Sequence, residues 1–198
     1  MMSRKKIFIL LTSLIAFSTA LFAKGDTYTY DYWSEIEKSP DVYTVSDVVY
    51  ADDLKLDVPL KNPTNLFCNG NIVYVLDTDN NRIIELEYTE KRILEFRRVI
   101  DKFYSNGEVA GTFSGPKDLF VTEDNCFFIA DTKNGRVLKL DQDLNLIFTL
   151  YEPDDPTYEK GKEFLPEKVV ADVKGRAYVL AKNVNKGFIK YDFDGTFT

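Results

Sequence analysis

The sequence predicts an all-β fold made of tandem four-stranded antiparallel sheets, and three observations carry that prediction. One residue pattern recurs at nearly constant spacing. Within each recurrence, apolar runs of four to six residues rich in Val, Ile, Phe and Tyr are separated by Asn, Asp and Gly, the chemistry of strands and tight turns. The runs are too apolar for a sheet with one wet face, so each sheet must be covered on both sides.

The first copy of the pattern is Pro63-Thr64-Asn65-Leu66-Phe67-Cys68, then Ile72-Val73-Tyr74-Val75-Leu76, then Asp77-Thr78-Asp79-Asn80-Asn81-Arg82, then Ile83-Ile84-Glu85-Leu86. The second runs Pro116-Lys117-Asp118-Leu119-Phe120-Val121, Phe127-Phe128-Ile129-Ala130, Asp131-Thr132-Lys133-Asn134-Gly135-Arg136, Val137-Leu138-Lys139-Leu140. The third starts at Pro166 and passes through Val169-Val170-Ala171 and Ala177-Tyr178-Val179-Leu180 to Phe188-Ile189-Lys190-Tyr191. The prolines lie 53 and 50 residues apart, a period that suits one blade of a β-propeller with long connections. Repeats therefore start near 60, 113 and 164.

Outer fourth strands are expected at residues 93–100 and 144–150, and a strand of the same character at 42–50. The third unit shows no fourth strand before Thr198, which makes the propeller partial: a fragment of a longer product, or an arc completed by assembly. The spans 102–112 and 152–162 are polar and read as surface loops, and Asp141-Gln142-Asp143 reads as a solvated turn.

Before the repeats, residues 1–23 read as a signal segment, with Arg4, Lys5 and Lys6 ahead of an apolar run from Ile7 to Phe22 and small residues at Ala20 and Ala23. The alternative is an uncleaved anchor, since the run is near the lower limit for a bilayer span. Residues 24–40 carry Tyr28, Tyr30, Tyr32 and Trp33 and form an aromatic leader, read as a strap over the blades, a disordered segment or a sugar-stacking surface. The propeller region occupies 41–198.

Three of the 25 cations and none of the 32 acids fall in residues 1–23, so the remainder has 22 against 32, a net charge of −10. That acidity excludes nucleic acid and anionic lipid surfaces as partners, because phosphates are repelled. A membrane enters only through an uncleaved leader. The chain has no histidine, which removes the commonest general base and metal ligand. Cys68 and Cys126 occupy non-equivalent repeat positions and are expected as two separate buried thiols rather than a disulfide.

The pieces Asp77-x-x-x-x-Arg82 and Asp131-x-x-x-x-Arg136, each behind an opening proline, resemble NHL repeats. The third copy departs, with Ala181 and Lys186 where Asp and Arg stand in the pattern, and its 181–187 and 191–197 stretches resemble secreted NHL-repeat proteins of clostridial-type bacteria. The resemblance implies a propeller of commonly six blades, and a fold rather than a function. Asp77, Arg82, Asp131 and Arg136 are the structural repeat motif: the carboxylates are expected to accept turn N–H groups and the arginines to pair with nearby carboxylates or carbonyls. A calcium reading of Asp77, Asp79 and Asn81 fails because the bidentate Glu and bend Gly of a calcium loop are missing at the required spacing.

The function expected is an exported, non-enzymatic binding or scaffold module without catalytic, cofactor or metal residues, holding a protein, peptide or glycan at the cell envelope. An open arc is also expected to self-associate through its uncovered blade faces. The alternative is a metal-dependent lactonase- or lyase-like propeller enzyme.

Overall fold

The computed structural model describes residues 28–38, 48–155, 158, 161, 163–182, 184 and 187–198. The signal segment at 1–23 lies outside the described residues. The chain divides into a unit of residues 1–48 and a unit of residues 49–198.

In the first unit the described residues form a hairpin, β1 (Tyr28–Tyr30) against β2 (Ile36–Lys38). Its turn is held by Asp31, whose Oδ1 accepts the N–H groups of Trp33 and Glu35, both at 2.8 Å. Tyr32 and Trp33 are exposed at the tip with their rings edge-on at 5.0 Å.

The second unit is all-β and consists of three consecutive β-propeller blades. The first blade is β3 (Pro63–Asn69), β4 (Ile72–Asp77), β5 (Arg82–Tyr88) and β6 (Leu94–Ile100), paired in chain order and antiparallel throughout. After it comes a separate hairpin, β7 (Lys102–Ser105) with β8 (Glu108–Thr112). The second blade is β9 (Asp118–Val121), β10 (Phe127–Asp131), β11 (Arg136–Leu140) and β12 (Leu146–Leu150). The third is β13 (Pro166–Ala171), β14 (Ala177–Ala181) and β15 (Ile189–Tyr191), with Phe197 bridged to Tyr191 at the fourth-strand position.

Stacking follows from the apolar runs. Tyr74, Leu76 and Ile83 of the first blade bury against Leu119, Val121, Phe127, Ile129 and Leu138 of the second. The opposite face of the second blade, with Phe128, Ala130 and Val137, buries against Val169, Ala177, Val179 and Ile189 of the third. Alternate residues of a strand point to opposite faces, so a central blade needs apolar residues at nearly every position. Phe127, Phe128, Ile129 and Ala130 satisfy that rule, each at most 2% exposed.

Four expectations need correction. The 102–112 span is not a loop: β7 and β8 pair, and Phe103 is 1% exposed, stacked on Phe113 within the core between the first two blades. Its Lys and Glu residues hide a strand that buries a single ring. Residues 48–50 carry no strand, and 42–47 lie outside the described residues; the face of the first blade is covered instead by Leu54, Leu56 and Leu60. In the 152–162 span Pro153 and Tyr158 are buried, so it is not purely surface. The two thiols are free, but Cys68 is exposed and Cys126 half-buried. Cys68 shares the exposed face of β3 with Thr64 and Leu66, while Phe67 and Asn69 on the other face are half-buried.

Candidate binding site

At the end of the second strand, both repeats fold the same way. Asp77 and Asp131 each precede a three-residue 3-10 turn, and the turn closes at Asn81 or Gly135 in the left-handed region, at φ 54° and 60°. Asn and Gly are the residues that adopt that conformation most readily. The Asp77 Oδ2 accepts from Asn80 Nδ2 at 2.8 Å and Arg82 Nε at 2.7 Å, while Asp131 Oδ2 accepts from Asn134 Nδ2 at 2.9 Å and Arg136 Nε at 2.8 Å. Both carboxylates are fully buried.

The backbone N–H groups these carboxylates accept are not in the turn. Asp77 Oδ1 takes the N–H of Lys61 at 2.6 Å and Asp131 Oδ1 that of Ser114 at 2.7 Å, each two residues before the opening proline of its own repeat. The arginines complete the knot by donating to the carbonyls of Val58 (2.6 Å) and Thr112 (3.1 Å). The structure therefore places all four motif residues in two equivalent knots that tie each second strand to the chain entering the blade.

The threonine after each aspartate reaches the next blade. Thr78 donates to the carbonyl of Pro116 at 2.7 Å and Thr132 to that of Pro166 at 2.6 Å. The third repeat has Ala181 and Lys182 in these places and makes neither bond, the Lys182 N–H going to the Leu165 carbonyl at 2.9 Å. Lys186 lies outside the described residues.

A polar ladder runs along the inner strands, at the position two residues after each proline. Asn65 Nδ2 donates to Asp118 Oδ1 at 2.6 Å, Lys168 Nζ pairs with the same oxygen at 3.2 Å, and the Val169 N–H donates to Asp118 Oδ2 at 2.7 Å. One residue earlier, Lys117 pairs with Glu167 at 2.5 Å. None of these positions is among the motif residues expected from the sequence. Their signal is three polar residues, Asn65, Asp118 and Lys168, at one repeat position inside otherwise apolar strands.

At the opposite end of the strands, a cleft of about 610 Å³ opens between the second and third blades. One wall is the turn Thr122–Cys126 and the other the turn Asp172–Gly175, with Phe120, Lys139 and Phe193 between them. Thr122 donates its hydroxyl to Asp124, which holds that carboxyl below the usual carboxylate range. Burial, reinforced by the Asp124 charge, pushes the Cys126 thiol up. Asp172 is held down to about 2 by Arg176, whose guanidinium pairs with it at 2.5 Å, and by the N–H groups of Arg176 and Lys174. Among the described residues there is no group of three or more metal-ligating side chains, and no helix long and apolar enough to cross a membrane.

No protein-family model matches the chain. The chloroplastic protein SUPPRESSOR OF QUENCHING 1 of Arabidopsis thaliana is 27% identical over 131 residues, a match that takes in 62% of this chain and 12% of that protein. Among solved structures, virginiamycin B lyase from Staphylococcus aureus is similar at a TM-score of 0.46 and 13% identity, over 86% of this chain and 46% of the lyase. Kuenenia stuttgartiensis hydrazine synthase gives 0.47 and 13%, over 79% of this chain and 38% of that one. An auxiliary nutrient binding protein from Bacteroides thetaiotaomicron gives 0.45 and 14%, over 84% and 42%. The chain spans less than half the length of each of these proteins.

Proposed function

We propose that this chain is an exported, NHL-type propeller module that binds a peptide, protein or glycan at the cell envelope and performs no chemistry on it. The observation that carries the reading is the open cleft between the second and third blades, set on a frame whose other end is knotted by buried ion pairs. A rigid scaffold with turns at its rim presents a fixed surface to a ligand without ordering cost, which is how such frames serve recognition. The cleft volume falls within the range of small-ligand sites. The export part of the reading rests on the basic and apolar residues at 4–22, and the NHL type on the paired Asp-to-Arg motifs.

Capture from cell-envelope extract on the immobilised chain, followed by displacement with soluble glycans or peptides, tests the binding reading. Retention of a partner that a soluble competitor releases supports it. Turnover of a lactone panel, with or without added calcium, overturns it in favour of an enzyme. Sequencing the N-terminus of the secreted form tests export, with a start at or near Leu21 or Lys24 expected and an intact membrane-held chain overturning it.

A further inference from the structure

The gaps between successive blades are built from equivalent positions, yet one is closed and the other open. Between the first and second blades, Phe67 meets Phe120 edge-on at 5.3 Å, and Asn69 Nδ2 crosses between turns to Asn125 Oδ1 at 3.0 Å. The residue equivalent to Asn69 in the second blade is Thr122, which turns back on Asp124 and the Cys126 N–H instead of crossing. Val170 stands where a third phenylalanine would complete the series. Among the described residues no hydrogen bond or ring pair crosses the second gap at that level, and the cleft remains.

Its charges are sorted by wall. Glu123 and Asp124 line the second-blade turn and are exposed, whereas Lys174 is exposed on the third-blade turn. Asp172 is already paired with Arg176 and accepts the Tyr178 hydroxyl at 3.0 Å, so its charge is spoken for. Lys139 rises between the walls with its ammonium over two rings, 5.3 Å from the centre of Phe128 and 5.1 Å from that of Phe148. Among the described residues no carboxylate comes within ion-pair distance of it, although Asp124 is near enough to feel its charge. An ammonium held on aromatic faces and short of hydrogen-bond acceptors is poised for an anion. Beside it, half-buried Phe120 and exposed Phe193 offer apolar surface.

A purely anionic ligand meets Glu123 and Asp124, a purely cationic one meets Lys139 and Lys174, and an uncharged glycan leaves both sets unmatched. A molecule with both charges and an apolar middle satisfies all three. We propose that the cleft between the second and third blades binds a short peptide with free termini, its carboxylate on Lys139 and Lys174, its ammonium on Glu123 and Asp124, and an apolar side chain against Phe120 and Phe193. This rests on the binding reading above and names the ligand's chemistry.

Backbone-amide NMR of the full chain titrated with alanyl-leucyl-alanine, its N-acetyl form, its C-terminal amide and cellotetraose tests it. The free tripeptide is expected to shift the amides of Cys126 and Gly175, and capping either terminus to weaken binding roughly tenfold, the scale of one charge-assisted hydrogen bond. Lys139→Gln should remove the difference between the free acid and the amide; the comparison of free and capped peptides on the unaltered chain stands even if that variant folds poorly. Equal binding of all three peptides, or shifts confined to other residues, overturns the proposal. Cellotetraose moving these amides while the tripeptide does not overturns the peptide assignment and leaves the binding reading standing. Silence from every probe, together with no partner captured from the envelope, sinks both.

Discussion

At one end of the blades Asp77 and Asp131 are fully buried and each is gripped by an arginine, whereas at the other end Asp141, Asp172 and Asp194 cap their own turns in contact with water. Asp141 Oδ1 accepts the N–H groups of Asp143 and Asn145, and Asp194 Oδ1 that of Thr196, all within five residues. The knots at the first end join segments 16 and 17 residues apart and, through Thr78 and Thr132, reach into the next blade. The same side chain therefore sets long-range order where it is buried and only local turn shape where it is wet. The cleft lies at the second end, where among the described residues no hydrogen bond ties the neighbouring turns of the second and third blades, so that rim can vary while the frame holds.

Removing a buried carboxylate gives the sharpest contrast. Asp131→Ala leaves the Arg136 guanidinium, the Asn134 amide and the Ser114 N–H without their acceptor, and is expected to cost roughly 3–5 kcal/mol in urea unfolding, with Asp77→Ala alike. A cost equal to that of an exposed aspartate would erase the distinction. Phe103→Ala is expected to cost roughly 3 kcal/mol, because the ring is 1% exposed between two blades. Gly111→Ala should cost about 1–3 kcal/mol, since a Cβ there would stand 2.8 Å from the Phe103 ring. If both variants melt like the parent, the hairpin belongs to the wet surface after all.

Thr132→Val tests the link between blades alone: about 1 kcal/mol is expected from losing the bond to Pro166 while shape is kept. Asp141→Ala, at the other end, removes a local turn cap and should cost about 0.5–1 kcal/mol, less than either buried aspartate. The smallest effect is a titration. Arg176 lowers the Asp172 carboxyl from 3.8 to about 2. A carboxyl lowered on folding contributes stability above its ordinary value, and that contribution disappears as pH falls through about 2. Carbon-detected NMR should find the Asp172 midpoint near 2, moving up toward 3.8 in Arg176→Met.

The blades themselves were legible because two-sided burial writes itself as unbroken apolar runs, as in Phe127–Ala130 and Ile72–Leu76. The outer strands at 94–100 and 146–150 left a weaker trace, because they are exposed on much of their length and alternate only imperfectly. What escaped depended on single residues. Phe103 is one buried ring in a polar stretch, too little for any periodicity to register. The acceptance of the Lys61 and Ser114 N–H groups joins distant segments, whereas a turn motif on paper suggests only its own N–H groups. The cleft was invisible because it arises from what replaces Asn69 and Phe67 in later copies, and that matters only once the copies stand side by side.

The inner ladder also makes the repeats non-interchangeable. Asp118 takes an amide from the blade before it and an ammonium from the blade after it, so the amide, acid, base series has a direction. Three copies of the middle blade would put carboxylate beside carboxylate along the axis, and reversing the order of the outer two would set Lys168 where Asn65 now threads between Asp118 and the Leu119 carbonyl. Homogenising the repeats toward one consensus, a common route to stable arrays, would here discard the address by which each blade recognises its neighbour.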